Sequence, residues 1–272
     1  MMSDELPIPT PKSPPKRWTL SIRRMMGLIA LTAILLALVL NSGGTYCGES
    51  ARRSQCVNNL RQLGLAILSY ESTNGVLPIG TVPDPDMPLD CRFGWNYLIA
   101  PELGLRGPFA DGDLSQPCDD PALDPLRSHP PGTESCPSIR QNTSANYVGI
   151  AGLGIDSAAF PKSDRRAGIF GDHRTVTLAE IEDGTSQTLM VVESSQKAGP
   201  WFAGGRNTVR GLDPSKPPYI GQGGQFGGIH SRGANVLMAD GSVKFVKESI
   251  DPKVLEAMST INGGEAVPAE FR

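Results

Sequence analysis

Signature motifs of catalysis are missing from this 272-residue sequence. No G-x-S-x-G elbow presents a serine nucleophile, and no H-E-x-x-H pairs two zinc ligands on a helix. The glycine-rich run 221–228 (GQGGQFGG) lacks the Lys-Ser/Thr ending of a phosphate loop, so it reads as a flexible segment before the last hairpin. Five cysteines (Cys47, Cys56, Cys91, Cys118 and Cys136) include no C-x-x-C pair, which argues against a zinc site built from thiolates. His129, His173, His230, Ser194 and Ser195 could be drawn into a triad, but a chain with this many serines permits that by chance. Positive charge is scarce beyond the N-terminus. Net charge is −3, and residues 1–24 hold Lys12, Lys16, Arg17, Arg23 and Arg24 against Asp4 and Glu5, so the remainder is acidic. An acidic body excludes nucleic-acid binding through phosphate contacts. The expectation is a protein without enzymatic activity and without a cofactor.

What the chain does have is concentrated in residues 21–73. Residues 25–40 (MMGLIALTAILLALVL) carry no charge and read as a membrane span. The run is 16 residues long, where a span usually needs about 20 and at least about 17. Ile22, Asn41, Ser42 and Tyr46 extend it into the interfacial zones, and Arg23 and Arg24 can snorkel. A cleaved signal peptide is the rival reading, but the run is long for one and Asn-Ser-Gly-Gly at 41–44 is not an A-x-A site. The basic excess before the span places the N-terminus inside and the body outside the cytoplasm, in the periplasm or at the cell surface. The predicted organisation is a disordered, proline-rich cytoplasmic tail (1–20), a transmembrane segment (21–46) and an extracytoplasmic domain (47–272).

After the span the pattern becomes amphipathic. Val57, Leu60, Gly64, Ile67 and Tyr70 recur at steps of three or four, widened by Leu63 and Leu68. Arg52, Gln55, Asn58, Asn59 and Gln62 fill the opposite side. Gly43, Gly44 and Gly48 predict a kink or break before this helix, and Asn74-Gly75 with Pro78 ends it. Cys47 and Cys56 fall on opposite faces and should not bridge. Cys91, Cys118 and Cys136 lie in a proline-rich, loop-like region, where one disulfide among them suits an extracytoplasmic compartment. Within that region residues 93–105 suggest a short helix stopping at Pro101. Asp111, Asp113, Asp119 and Asp120 are oxygen ligands of the kind calcium takes, but they lack the twelve-residue loop order and closing Glu, so a solvated acidic loop is favoured.

Gly 31 and Pro 24 point to short strands joined by many turns. Residues 147–150, 168–170, 175–181 and 188–193 are candidate strands. Residues 235–246 read as a hairpin around Asp240-Gly241, a dipeptide suited to a two-residue type I′ turn. Asp251-Pro252 then opens a short helix as N-cap and first helical residue. Trp201 and Phe202, with Gln222 and Phe226, are candidates for lining a solute or glycan site, although core packing is the commoner role of such aromatics.

Several stretches together resemble one family. They are Glu49 to Pro78 (ESARRSQCVNNLRQLGLAILSYESTNGVLP), Cys136-Pro137-Ser138, Asn146-Tyr147-Val148-Gly149, and residues 168–194 with Asp183-Gly184-Thr185-Ser186. The last is His230, nine residues, then Asp240-Gly241. On these the chain resembles the planctomycete domain of unknown function 1559, the prepilin-type processing-associated H-X9-DG proteins. The resemblance implies an α+β, pseudopilin-like fold: a long N-terminal transmembrane and amphipathic helix packed on an antiparallel β-sheet, with long irregular loops. It implies a membrane-anchored role in protein contacts or self-association, and some labels of the family mention solute binding. Relatives carry a cleavage glycine followed by a Phe-Thr-Leu-x-Glu start; here residues 17–23 read RWTLSIR, without that glycine or that Glu. His230 and Asp240 could form a metal or catalytic pair across the hairpin. On an extended strand they would lie up to about 33 Å apart. The favoured reading makes Asp240-Gly241 a turn and gives His230 a hydrogen bond to a backbone carbonyl.

Overall fold

The computed structural model describes residues 22–110, 113–139, 145–196 and 199–268, with the backbone alone for residues 22–30, 33–47 and 108. The predicted tail, Asp111 and the side chain of Cys47 lie outside this description. The chain divides into two units, residues 1–48 and 49–272. In the first, the described backbone is helical and belongs to α1 (Ile22–Asn74). The helix continues through Gly43, Gly44 and Gly48, where a break was expected, although each glycine costs about 1 kcal/mol relative to alanine. Among the described residues no helix is long and apolar enough to cross a membrane. Apart from Leu31 and Thr32, the side chains on which the span at 25–40 was predicted are outside the description.

The second unit is built on one five-stranded sheet. Its strands are β1 (Tyr147–Leu153), β2 (Leu189–Glu193), β3 (Val209–Leu212), β4 (Gly233–Met238) and β5 (Val243–Lys247), in the order β3-β1-β2-β4-β5. The class is α+β, but the sheet is mixed and not antiparallel. β1–β2, β2–β4 and β4–β5 pair antiparallel, whereas β3 runs parallel to β1. The reason is in the register. Glu193, the last residue of β2, pairs with Tyr147, the first of β1. A connection leaving there and passing over β1 must enter its far edge in the direction of β1.

Both faces of the sheet are covered, so successive residues of β1 are buried in opposite directions. Tyr147 and Ala151 join Val191 and Leu237 under Leu60, Leu63 and Ile67 of α1. Val148 and Ile150 join Val192, Val236 and Met238 under Leu255 and Met258. These last two belong to α4 (Pro252–Met258), whose N-cap Asp251 accepts a hydrogen bond from Lys253 N at 2.9 Å. The stripe of α1 is therefore correctly placed, with one exception. Asn59, assigned to the polar side, is buried and donates to Gly132 O and Ser135 O at 3.0 Å each. Gly64 lets α1 approach β4: a Cβ there would stand 2.8 Å from Leu237 Cδ1.

Two predicted strands are absent. Residues 168–170 run beside β1, with Gly168 N and Phe170 N donating to Ala151 O and Ile150 O. Residues 175–181 turn instead into a short 3-10 helix, Leu178–Glu180. Glu180 there accepts from Thr177 N at 2.9 Å, a capping arrangement that competes with extended structure. Buried Arg174 fastens this region by donating to Ser157 O and Phe160 O, both at 2.8 Å. The region 76–140 contains α2 (Trp95–Leu98) and α3 (Asp124–Ser128) around a third core of Phe93, Tyr97, Leu126, Trp201 and Phe202.

Candidate functional site

The groups of chemical interest meet where the N-terminal end of the second unit's helix crosses the start of β4. Cys56 lies on α1 four residues before Leu60, on the same buried stripe. It forms a disulfide with Cys136, 80 residues away, with a Cα–Cα distance of 5.7 Å. Cys136 is held in place by its own N–H, which donates to Asn146 Oδ1 at 2.8 Å. The disulfide predicted among Cys91, Cys118 and Cys136 is thus corrected. Cys136 pairs with a helix residue, while Cys91 and Cys118 are free thiols. Burial pushes the Cys118 thiol up to about 12.

His230 stands against this disulfide. Its side chain is only 2% exposed. Nδ1 is 2.8 Å from Glu49 Oε1, on the first turn of the second unit. Nε2 lies 3.7 Å from Cys136 Sγ and 3.6 Å from Glu193 Oε1. Glu193 closes β2 and is fully buried; it accepts from Asn235 N at 2.7 Å and from Asn235 Nδ2 at 3.0 Å. Burial opposes a charge on His230, but hydrogen bonding to Glu193 and Glu49 outweighs it and raises the imidazole pKa. For Glu49, partial desolvation is outweighed by hydrogen bonds from His230 and Arg52, so its pKa falls. Nearby Glu134 is fully buried with Asn96 Nδ2 at 2.9 Å, and desolvation raises its pKa to about 8. Glu134 is then a neutral acid at pH 7.

Asp240 is not part of this cluster. It sits beyond the opposite end of β4 and accepts from Ser242 N at 2.8 Å. The six residues of β4 alone separate the two ends by about 20 Å. The turn itself differs from expectation. A type I′ turn needs a positive φ at both central residues. Here Gly241 has φ 83, and Arg232 is the one non-glycine with positive φ among the described residues. The connection is Ala239-Asp240-Gly241, closed by Met238 N donating to Ser242 O at 2.8 Å. The partner of His230 is a carboxylate, not the backbone carbonyl expected.

The remaining candidates do not converge. Trp201 and Phe202 are buried in the third core, and Trp201 Nε1 donates to Leu126 O at 3.0 Å. Phe226 belongs to the core under α4, and Gln222 is exposed. His129 and His173 are exposed, and Ser194 Oγ instead accepts from Arg210 at 3.2 Å, so no triad assembles from them. Asp113 accepts from Ser115 N, and Asp120 from Ala122 N, each capping its own turn. Asp119 is exposed. Sequence reading missed Glu49, Glu193 and Asn235 altogether. Cys56 carried a signal, since its step of four to Leu60 put a cysteine on the stripe facing the body.

An open cleft of about 390 Å³ lies elsewhere, lined by Asp90, Asp156, Asp172, Arg206, Arg210 and Gln225 among others. Residues 48–210 and 200–253 match the family described as protein of unknown function (DUF1559). No functionally curated protein and no solved structure matches the chain.

Proposed function

The chain belongs to the DUF1559 family, and we propose that it is a membrane-anchored, extracytoplasmic, pseudopilin-like protein that works through protein contacts and not through catalysis. The observation that carries this reading is the Cys56–Cys136 disulfide, which ties α1 to the loop before β1. Disulfides persist in oxidising compartments and are rare in the cytosol. The uncharged run 25–40, preceded by an excess of basic residues, supplies the anchor and the same orientation. The buried polar groups support a non-catalytic role, because His230, Glu193 and Asn235 are engaged with one another and with the disulfide. The pseudopilin comparison is supported by the helix whose apolar stripe lies on one face of the sheet.

The test is protease treatment of intact native cells, with mass analysis of the mature N-terminus. The expected result is a membrane-fraction protein that retains residues 1–40 and loses its C-terminal body to external protease. A soluble protein starting near residues 42–50, or cleavage within residues 1–20 with the body spared, overturns the proposal. A second reading, solute binding, is favoured by the cleft, whose lining carries both carboxylates and guanidinium groups. A thermal-shift screen with amino acids and sugars tests it: a saturable rise in midpoint that Arg206→Ala removes supports it, and no rise removes it.

A further inference from the structure

We propose that Cys56, Cys136 and His230 form a redox-controlled zinc site, closed as a disulfide when oxidised and binding Zn²⁺ when the two cysteines are reduced. The sulfur atoms of Cys56 and Cys136 and a ring nitrogen of His230 lie within 4.8 Å of one another, and all three residues are buried. The distances from His230 Nε2 decide what the group is shaped for. Nε2 stands 3.7 Å from Cys136 Sγ and 3.6 Å from Glu193 Oε1. A tetrahedral zinc with Zn–S of about 2.3 Å and Zn–N of about 2.05 Å has an N···S edge of about 3.6 Å. The imidazole therefore already stands from Cys136 Sγ at the spacing of one edge of a zinc tetrahedron.

The surrounding bonds fit the same description. Nδ1 of His230 lies 2.8 Å from Glu49 Oε1, which holds the ring with Nε2 facing the sulfur and the Glu193 carboxylate. A carboxylate on the far nitrogen is the usual outer partner of a zinc-bound histidine. Asn235 holds Glu193 beside the site through Nδ2 and its backbone N–H. Two thiolates and a neutral imidazole give three protein ligands, and a solvent molecule completes the tetrahedron.

The chemistry balances with an external reductant, a dithiol or a phosphine. It transfers two electrons to the sulfur–sulfur bond, and two protons complete the two thiols. Zn²⁺ then replaces both thiol protons, and the protons pass to solvent. Oxidation by an external disulfide, which takes the two electrons and two protons and leaves as two thiols, re-forms the Cys56–Cys136 bond, removes two of the three protein ligands and releases the ion. This inference does not rest on the compartment reading: an extracytoplasmic body would be held in the disulfide state, and the zinc state belongs to the chain before oxidation or after reduction.

The experiment uses the full chain in detergent, reduced with a phosphine and stripped of metal. Co²⁺ is added as the spectroscopic probe, and Zn²⁺ in competition. The expected result is one Co²⁺ per chain, with visible bands of tetrahedral cobalt and a thiolate charge-transfer band, both absent from the oxidised protein. Zinc is expected to protect Cys56 and Cys136 from alkylation, read by peptide mass analysis, a measurement that needs no variant. Glu49→Gln is expected to weaken zinc binding about 10- to 100-fold, and Cys91→Ser with Cys118→Ser to leave it unchanged. Absence of tetrahedral bands in the reduced protein overturns the proposal, as does protection of Cys91 and Cys118 in place of Cys56 and Cys136. These outcomes are independent of where the body resides, so either proposal can fail alone.

Discussion

Replacing both Cys56 and Cys136 by alanine should remove more stability than any single apolar truncation in the sheet. The bridge closes a loop 80 residues long in sequence separation. The chain-entropy relation gives about 15 cal/mol/K for a loop of that length, or about 4.5 kcal/mol at 25 °C. Folded-state contacts change little, since His230 keeps Glu49 and Glu193 and α1 keeps its apolar stripe. With a urea slope of about 2.5 kcal/mol/M, the midpoint should fall by about 1.8 M. Trp95 and Trp201 are fully buried, so their fluorescence follows the second unit. The assay is urea unfolding of the full chain in detergent with chelator, for the wild type and the double variant, each with and without a phosphine reductant. Reductant should lower the wild-type midpoint to that of the variant and leave the variant unmoved. A fall of less than about 0.4 M, equivalent to about 1 kcal/mol at that slope, would refute the reasoning. It would show that residues 57–135 bring their ends together without the sulfur bridge.

Three other outcomes follow from the same structure. The folded pKa of His230 is raised above its unfolded value near 6.5, so its contribution is complete below that pH and lost as pH rises through the folded value. His230→Gln should flatten this part of the stability profile measured in denaturant. Glu134 has a folded pKa of about 8, so the folded state holds a proton that the unfolded chain releases near pH 4.5. Stability falls as pH rises from there to about 8, and Glu134→Gln should abolish that slope and stabilise the protein most at pH 8 and above. Gly241 has φ 83, and an added Cβ would stand 3.0 Å from Leu68 Cδ1. Gly241→Ala should therefore cost about 1–2 kcal/mol in urea unfolding, more than Asp240→Ala, which removes only a cap.

The parts of the fold that could be read beforehand are those set by local pattern. The stripe of α1, strands β1 and β2, the β4–β5 hairpin and the Asp-Pro start of α4 each announce themselves within a few residues. β3 escaped because Val-Arg-Gly-Leu is short and its orientation depends on where β2 ends, a fact of register and not of composition. The cluster at His230 escaped for a related reason. Its members come from Glu49, Cys56, Cys136, Glu193, His230 and Asn235, six places brought together only by tertiary packing. Spacing within the chain singled out His230 but suggested Asp240 as its partner. Proximity in sequence along an extended strand is the reverse of proximity in space.

The segment from His230 to Asp240 is nevertheless tied to α1 at more than one point. Two contacts bind α1 to β4: Glu49 with His230 at one end, and Gly64 against Leu237 at the other. On the helix these points are fifteen residues apart, about 22 Å at 1.5 Å per residue. On the sheet side, Gly233 to Leu237 covers about 13 Å at 3.3 Å per residue, and a bridge between His230 and Gly233 folds the chain back before the strand begins. The helix is thus attached at one point before β4 and at one within it. Asp240-Gly241 then turns the chain directly beneath Leu68, where a side chain on residue 241 would crowd the helix. One residue more or fewer within β4 would reverse which face of the strand meets α1, because side chains alternate with a period of two. The histidine and the turn at Asp240-Gly241 are each set against α1, with no requirement that the histidine and the aspartate ever meet.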